Sequence, residues 1–184
     1  MTIKLSQEDK KTLLKLARDT IKLYLKDGTR VKLPGAKGAL GEICGAFVTL
    51  HKHDNLRGCI GNMIGHGPLV GTIRDMAIAA ATEDPRFPGV TLKELDEINI
   101  EISVLSPMKR IKDVSEILVG THGILMRRGM HQGVLLPQVA TEWGWDREEF
   151  LRHTCLKAGL ATEDWKDPNT VIEIFSAEVF GESR

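Results

Sequence analysis

The sequence of 184 residues has few cysteines, few aromatic residues and no excess of either charge. Its three cysteines, Cys44, Cys59 and Cys155, form no C-x-x-C pair, so their spacing is typical of neither a disulfide framework nor a structural zinc site. Aromatic residues make up 5%, and 25 basic residues balance 25 acidic ones. A nucleic-acid-binding protein needs a basic excess or stacking aromatics, so this class is disfavoured. The only basic clusters, at 109–112 and 127–128, are interpreted as solvated loops.

Long apolar runs are also missing from the sequence. No stretch approaches the ~18 apolar residues that a membrane-spanning helix requires, so no membrane span is predicted. The first residues, MTIKLSQEDKK, contain no apolar core of a secretory signal peptide. The sequence therefore predicts a cytoplasmic protein with reduced cysteines. With 42% hydrophobic and 27% charged residues, its composition is that of an ordinary globular domain.

Apolar periodicity and punctuation by glycine and proline predict a mixture of helices and short strands. Ser6 and Asp9 form a capping box at the start of a helix that ends at Asp27 and Gly28, and a glycine-rich loop is predicted to follow over 29–45. Strands are predicted over 46–53, 56–61, 98–104, 123–126, 133–136 and 171–180, and further helices over 69–83, after Pro137 and after a capping box of Asp146 and Glu149. This order predicts an α+β fold, with two lobes of mixed or antiparallel sheet flanked by helices.

A series of short motifs carries a resemblance to a known family. They are LRGCIG at 56–61, GAFVTL at 45–50, EDPRF at 83–87, ISVLSP at 102–107, LPQVA at 136–140 and KAGL at 157–160. In their order along the chain they resemble the AMMECR domain family, named for a human chromosomal region linked to Alport syndrome, intellectual disability, midface hypoplasia and elliptocytosis. The resemblance implies a two-lobed α+β fold with the hexapeptide in a cleft. We therefore predict a single AMMECR domain over 1–184, with one subdomain at 45–110 and the other at 1–44 plus 111–184.

The resemblance also implies partners. Stand-alone microbial members of the family look like component A of the AmmeMemoRadiSam system, beside a Memo-like protein and a radical S-adenosylmethionine enzyme. No reaction is settled for the family, and the resemblance names no cofactor. We expect a small-molecule ligand, and a role with these partners in a modification pathway. The alternatives are a non-catalytic protein-interaction module and a nucleic-acid-associated factor in translation or repair.

Cys59, in the centre of the hexapeptide, is the candidate nucleophile, because a thiol near cations or histidines can be activated. Strand parity tests this idea. If residues 54–55 form a two-residue hairpin loop, Cys59 shares a face with Leu50, while His51 and His53 point to the other face. The alternatives are a buried structural cysteine and a cysteine that lines the cleft without reacting, and a bulge would change the parity.

Arg57 and Arg86 are the candidate anion-binding residues, because a fixed guanidinium recognises carboxylate or phosphate with two donors. Glu101 lies on the polar side of the strand at 98–104, where it could meet either arginine. The alternative is that the arginines form internal ion pairs with Asp84, Glu83 or Glu101.

Three further residues are assigned to the ligand site. Gly58 and Gly61 leave room for a ligand or, alternatively, for the close approach of another backbone. Gln138 follows Pro137 at the start of a helix and is a candidate lining residue of the cleft. No metal site is predicted, because His51 and His53 are followed by no third ligand at a recognisable spacing.

Overall fold

The structure is a computed structural model that describes residues 4–182. Its helices are α1 (Gln7–Asp27), α2 (Leu69–Thr82), α3 (Pro137–Trp143) and α4 (Arg147–Lys157). Its strands are β1 (Ala46–Lys52), β2 (Asn55–Asn62), β3 (Ile98–Leu105), β4 (Lys109–Arg110), β5 (His122–Arg128), β6 (His131–Leu135) and β7 (Val171–Gly181). Strand pairs β1–β2, β1–β3, β4–β7, β5–β6 and β5–β7 are antiparallel, which confirms the predicted α+β class. Within the described range, no helix is both long and apolar enough to cross a membrane.

The chain divides into two compact units. The first unit runs up to Leu105 and takes in the residues from Glu178 onward, and the second is Ser106–Ala177. These boundaries differ from the subdomains predicted at 45–110 and at 1–44 plus 111–184. The physical reason is that α1 packs against α2 and its buried face, including Leu13 and Ile21, shares one hydrophobic core with β1 and β3.

In the first unit, α1 begins at the predicted capping box. The Ser6 hydroxyl accepts the Asp9 N–H at 3.1 Å, the Asp9 carboxylate accepts the Ser6 N–H at 2.9 Å, and Gly28 ends the helix with a φ of 76°. The strands lie in the order β2-β1-β3, so β2 is an edge strand. Alternate residues of β1, among them Val48 and Leu50, are buried in the core that α2 covers.

The hairpin between β1 and β2 differs from the predicted register. Its loop is His53-Asp54, with φ values of 50° and 67°, where the prediction placed it at 54–55. A bulge then leaves Arg57 unpaired, so that Leu50 is opposite Gly58 and Thr49 is opposite Cys59. The prediction that Cys59 shares a face with Leu50 was therefore wrong. Cys59 lies on the face of Thr49 and His51, away from α2.

The second unit is a smaller antiparallel arrangement with its own core. Strand β5 lies between β6 and β7, β4 pairs with the other edge of β7, and α4 packs against β5 and β6. Phe150 is fully buried with Ile124 and Met126 in this core. The two-residue strand β4 was not predicted, because nothing in its two basic side chains marks it as a strand.

Candidate functional site

The hexapeptide at 56–61 lies on β2, and its glycines allow close packing. A Cβ atom on Gly58 would lie 2.2 Å from the carbonyl oxygen of Ala80 in α2. A Cβ atom on Gly61 would lie 2.3 Å from the ring of Phe47 in β1. Both distances are shorter than atoms can tolerate, so each glycine is needed for the approach of a neighbouring element. The packing alternative therefore accounts for both glycines.

The carboxylate of Asp84, just after α2, joins three parts of the first unit. The backbone N–H of Cys59, on the open edge of β2, donates to Asp84 Oδ2 at 2.9 Å. The backbone N–H of Arg86 donates to Asp84 Oδ1 at 3.1 Å. Only 3% of the Asp84 side chain is exposed. A buried carboxylate thus closes the edge of the sheet at Cys59 and fixes the turn that carries Arg86.

The Arg86 side chain meets the same carboxylate with two of its nitrogens. Its Nε donates to Asp84 Oδ1 at 3.0 Å and its Nη2 to Oδ2 at 2.8 Å, so the predicted ion pair with Asp84 is present. These bonds hold the pKa of Asp84 well below its usual range. The pKa of Arg86 is raised, chiefly by the hydrogen bond to Asp84, with smaller contributions from the charges of Asp84 and Cys59. Even so, 55% of the Arg86 side chain is exposed.

The thiol of Cys59 is the most accessible of the three. The side chain is half-buried, and the Thr49 hydroxyl across the strand pair donates to its Sγ at 3.2 Å. Cys44 and Cys155 are buried, and burial raises the pKa of both thiols, that of Cys44 to about 11. We name the residues Thr49, Cys59, Asp84 and Arg86 the Asp84 cluster. It brings a positioned thiol and a positioned, exposed guanidinium to one edge of the sheet.

Arg57 is held differently, by groups of the protein itself. Its Nε and Nη2 donate to the Glu94 carboxylate at 3.0 and 3.2 Å, and its Nη1 and Nη2 donate to the carbonyl oxygens of Pro88 and Gly89 at 2.8 and 3.3 Å. Only 12% of the side chain is exposed. Arg57 therefore fastens the 88–94 segment to β2. Sequence reasoning missed Glu94 as its partner. Glu94 also forms a capping box with Thr91, whose N–H donates to the Glu94 carboxylate at 3.2 Å.

Glu94→Gln should make the stability of the protein less dependent on acid pH. The hydrogen bonds from Arg57 and Thr91 lower the pKa of Glu94 from 4.5 to about 2. Because the folded state favours the ionised form, this stabilisation is present above pH ~4.5 and is lost as the pH falls towards 2. Urea unfolding at pH 3 and pH 6 measures it. We expect a loss of about 2 kcal/mol for the variant at pH 6 and a smaller difference at pH 3.

Glu42→Gln is the control, because Glu42 is exposed and forms no ion pair with any residue between 4 and 182. Equal losses for Glu94→Gln at both pH values would contradict a role for the Glu94 charge.

The remaining predicted residues lie outside the Asp84 cluster. Glu101 is half-buried on β3 opposite Thr49 and forms no ion pair with Arg57 or Arg86 in the described part of the chain. Gln138 is exposed at the start of α3, in the second unit. No group of three or more His, Cys, Asp or Glu side chains that could hold a metal ion is found among residues 4–182.

The chain was compared with known proteins. The AMMECR1 family model matches residues 14–180. A protein of Methanothermobacter thermautotrophicus is 45% identical over 97% of this chain and 96% of its own length, and protein MK0488 of Methanopyrus kandleri is 46% identical over 97% and 91%. The crystal structure of the uncharacterized protein PH0010 from Pyrococcus horikoshii has 43% sequence identity and a TM-score of 0.84, covering 94% of this chain and 90% of that one. The chain therefore belongs to the AMMECR1 family.

Proposed function

We propose that the Asp84 cluster binds a small ligand through an anionic group, a carboxylate or a phosphate, that pairs with Arg86. This proposal rests on the difference in solvent exposure between the two members of one ion pair. Asp84 is almost completely buried, while 55% of the Arg86 side chain is exposed. Arg57, by contrast, is only 12% exposed and donates its hydrogen bonds inside the protein. Arg86 differs from other exposed arginines such as Arg30, whose aspartate partner is 42% exposed, in that a buried carboxylate fixes it. The Arg86 Cζ also lies 5.5 Å from the centroid of the Phe87 ring.

The unused donors of Arg86 suit a bidentate acceptor. A guanidinium carries five N–H groups in a rigid plane, and Asp84 takes one from Nε and one from Nη2. Nη1 donates to no protein group among residues 4–182. The two outward N–H groups of Nη1 and Nη2 match the spacing of two carboxylate or phosphate oxygens. Because Asp84 fixes the guanidinium beforehand, little rotamer entropy is lost when the ligand binds.

Cys59 gives this site a reactive group. Its backbone N–H and Arg86 Nη2 share one oxygen of Asp84, at 2.9 and 2.8 Å, so the Cys59 backbone and the guanidinium belong to one hydrogen-bonded unit. The proposal requires that a ligand anchored by its anionic group on Arg86 reaches the sulfur with its neighbouring carbon, and the electrostatic interaction between Cys59 and Arg86 supports this. The observed register also supports this role in one respect, because it places Cys59 on the same strand face as His51, whereas the predicted register did not. The Memo-like and radical S-adenosylmethionine partners stay a prediction from the family resemblance.

Alkylation of Cys59 by two reagents tests the proposal without knowledge of the natural ligand. Iodoacetate carries a carboxylate next to its reactive carbon, and iodoacetamide carries a neutral amide in the same place. The rate constant for iodoacetate divided by that for iodoacetamide gives a ratio from which the intrinsic reactivity of the thiol cancels. In Arg86→Gln we expect this ratio to fall about tenfold, equivalent to the loss of one charge-assisted hydrogen bond. Mass spectrometry of the labelled peptide measures the rates at low ionic strength, where screening is weak.

Arg30→Gln is a matched control. Its side chain is also 55% exposed and is paired with an aspartate of the first unit, Asp75, at 2.9 Å. This variant removes the same charge and should leave the ratio unchanged. A ratio that is equal in the wild-type protein and in Arg86→Gln would overturn the proposal. Cys59→Ser identifies any label on the buried Cys44 and Cys155.

A further inference from the structure

The second unit contains a pocket that is separate in sequence from the Asp84 cluster. Its volume is about 780 Å³, within the range of about 300–1,000 Å³ of small-molecule sites. The buried side chains of Ile111 and Ile172 line it, and both belong to the core of this unit. The walls are Val114, half-buried, and the segment from Trp165 to Pro168. The pocket therefore has an apolar floor at Ile111 and Ile172 and an aromatic wall at Trp165, and the rest of its lining is largely polar.

Three cations line the same pocket. Arg110, on β4, and Lys112, just after it, are exposed and form no ion pair with residues 4–182. The third, Lys166, lies 2.7 Å from Glu163 and 5.0 Å from the centroid of the Trp165 ring. What distinguishes Arg110 and Lys112 from other exposed cations is that both line one pocket whose floor is apolar.

The two acidic residues of the pocket are already engaged by the protein. Asp113 accepts the backbone N–H of Ser115 at 2.8 Å and so caps the turn Val114–Glu116. Asp167 accepts the backbone N–H of Asn169 at 2.8 Å and a guanidinium N–H of Arg128 at 3.3 Å. Neither acid pairs with Arg110 or Lys112, so both cations keep their donors for another acceptor.

We propose that this pocket binds a phosphorylated planar molecule of the size of a nucleoside monophosphate. The phosphate pairs with Arg110 and Lys112, and the planar ring packs against Trp165, Pro168 and Val114. Both parts of the ligand are needed to match the pocket. A free phosphate would leave the apolar residues of the wall exposed to water, and an uncharged ring would leave Arg110 and Lys112 without an anionic partner. The proposal is independent of the site at Arg86, since every residue that carries it lies within Ser106–Ala177.

Isothermal titration of the full chain with adenosine monophosphate tests this proposal, with adenosine and ribose 5-phosphate as the two half-ligands. We expect the complete nucleotide to bind at least about tenfold more tightly than either half. In the double variant Arg110→Gln/Lys112→Gln the affinity should fall at least about tenfold. The control is Lys157→Gln, which removes an exposed charge of the same unit that forms no ion pair with residues 4–182 and does not line the pocket.

A second readout locates the ligand. The indole N–H signal of Trp165, assigned with Trp165→Phe, should shift on titration, while the signals of Trp143 and Trp145 stay in place. No binding of the nucleotide at millimolar concentration would overturn the proposal. Equal affinity for ribose 5-phosphate would overturn the role of the aromatic wall, and an equal loss of affinity in the control variant would overturn the assignment to Arg110 and Lys112.

Discussion

Gly58→Ala should destabilise the first unit by about 3 kcal/mol or more, because its side chain would enter the space of a helix backbone. The new Cβ would lie 2.2 Å from the carbonyl oxygen of Ala80, and this oxygen belongs to α2. A flexible side chain could turn away, but a helix carbonyl moves only with its helix. Helix α2 packs against α1, β1 and β2, so its displacement would disturb most of the core of this unit. Urea unfolding followed by circular dichroism measures the loss.

Gly67→Ala is the control for the loss of a glycine as such. A Cβ atom at Gly67 would meet nothing within 4 Å, and its backbone is outside the left-handed region. We expect a change within about 0.5 kcal/mol for this variant. If Gly58→Ala were as stable as Gly67→Ala, the hexapeptide glycine would have to serve a ligand and not the packing against α2.

The register of the β1–β2 hairpin could not be predicted from local sequence patterns. Alternation of apolar residues predicted both strands, and the polar residues between them predicted a two-residue loop. The loop lies one residue earlier, at His53-Asp54, and the pairing continues after a bulge at Arg57, so that Cys59 lies on the face opposite to the predicted one. Arg57 is needed there by Glu94, which is 37 residues away in the sequence. A contact of this range is set by tertiary packing, so local patterns could not place the bulge.

The same limit applies to the candidate site. The pair of Asp84 and Arg86 was among the predicted alternatives, because the two residues are close in sequence. The bond from the Cys59 N–H to Asp84 was not predicted, since it depends on where α2 ends relative to the edge of β2. Composition also concealed the pocket of the second unit. Equal numbers of acids and bases argued against nucleic-acid binding and could not reveal a local group of cations, yet the acids at this pocket are engaged in turns while two of its bases are unpaired.

Asp84→Asn should weaken the preference of Cys59 for iodoacetate over iodoacetamide, even though the variant loses a negative charge beside Arg86. Two roles of Asp84 predict opposite results. If the carboxylate mainly neutralises Arg86, its removal frees the cation and the preference rises. If it mainly positions the guanidinium and the Cys59 backbone, the preference falls, because four hydrogen bonds converge on this carboxylate from Cys59 and Arg86.

We expect the second result, a fall of about tenfold, together with a stability loss of about 2 kcal/mol. An amide offers one acceptor oxygen where the carboxylate offers two, so half of these bonds lose their partner. Asp75→Asn is the matched control, since Asp75 also pairs with an arginine but is 42% exposed, and surface pairs contribute little. Its preference ratio and stability should stay close to those of the wild-type protein. A rise of the ratio in Asp84→Asn would instead assign Asp84 to charge neutralisation, and the positioned guanidinium would no longer explain an anion site at Cys59.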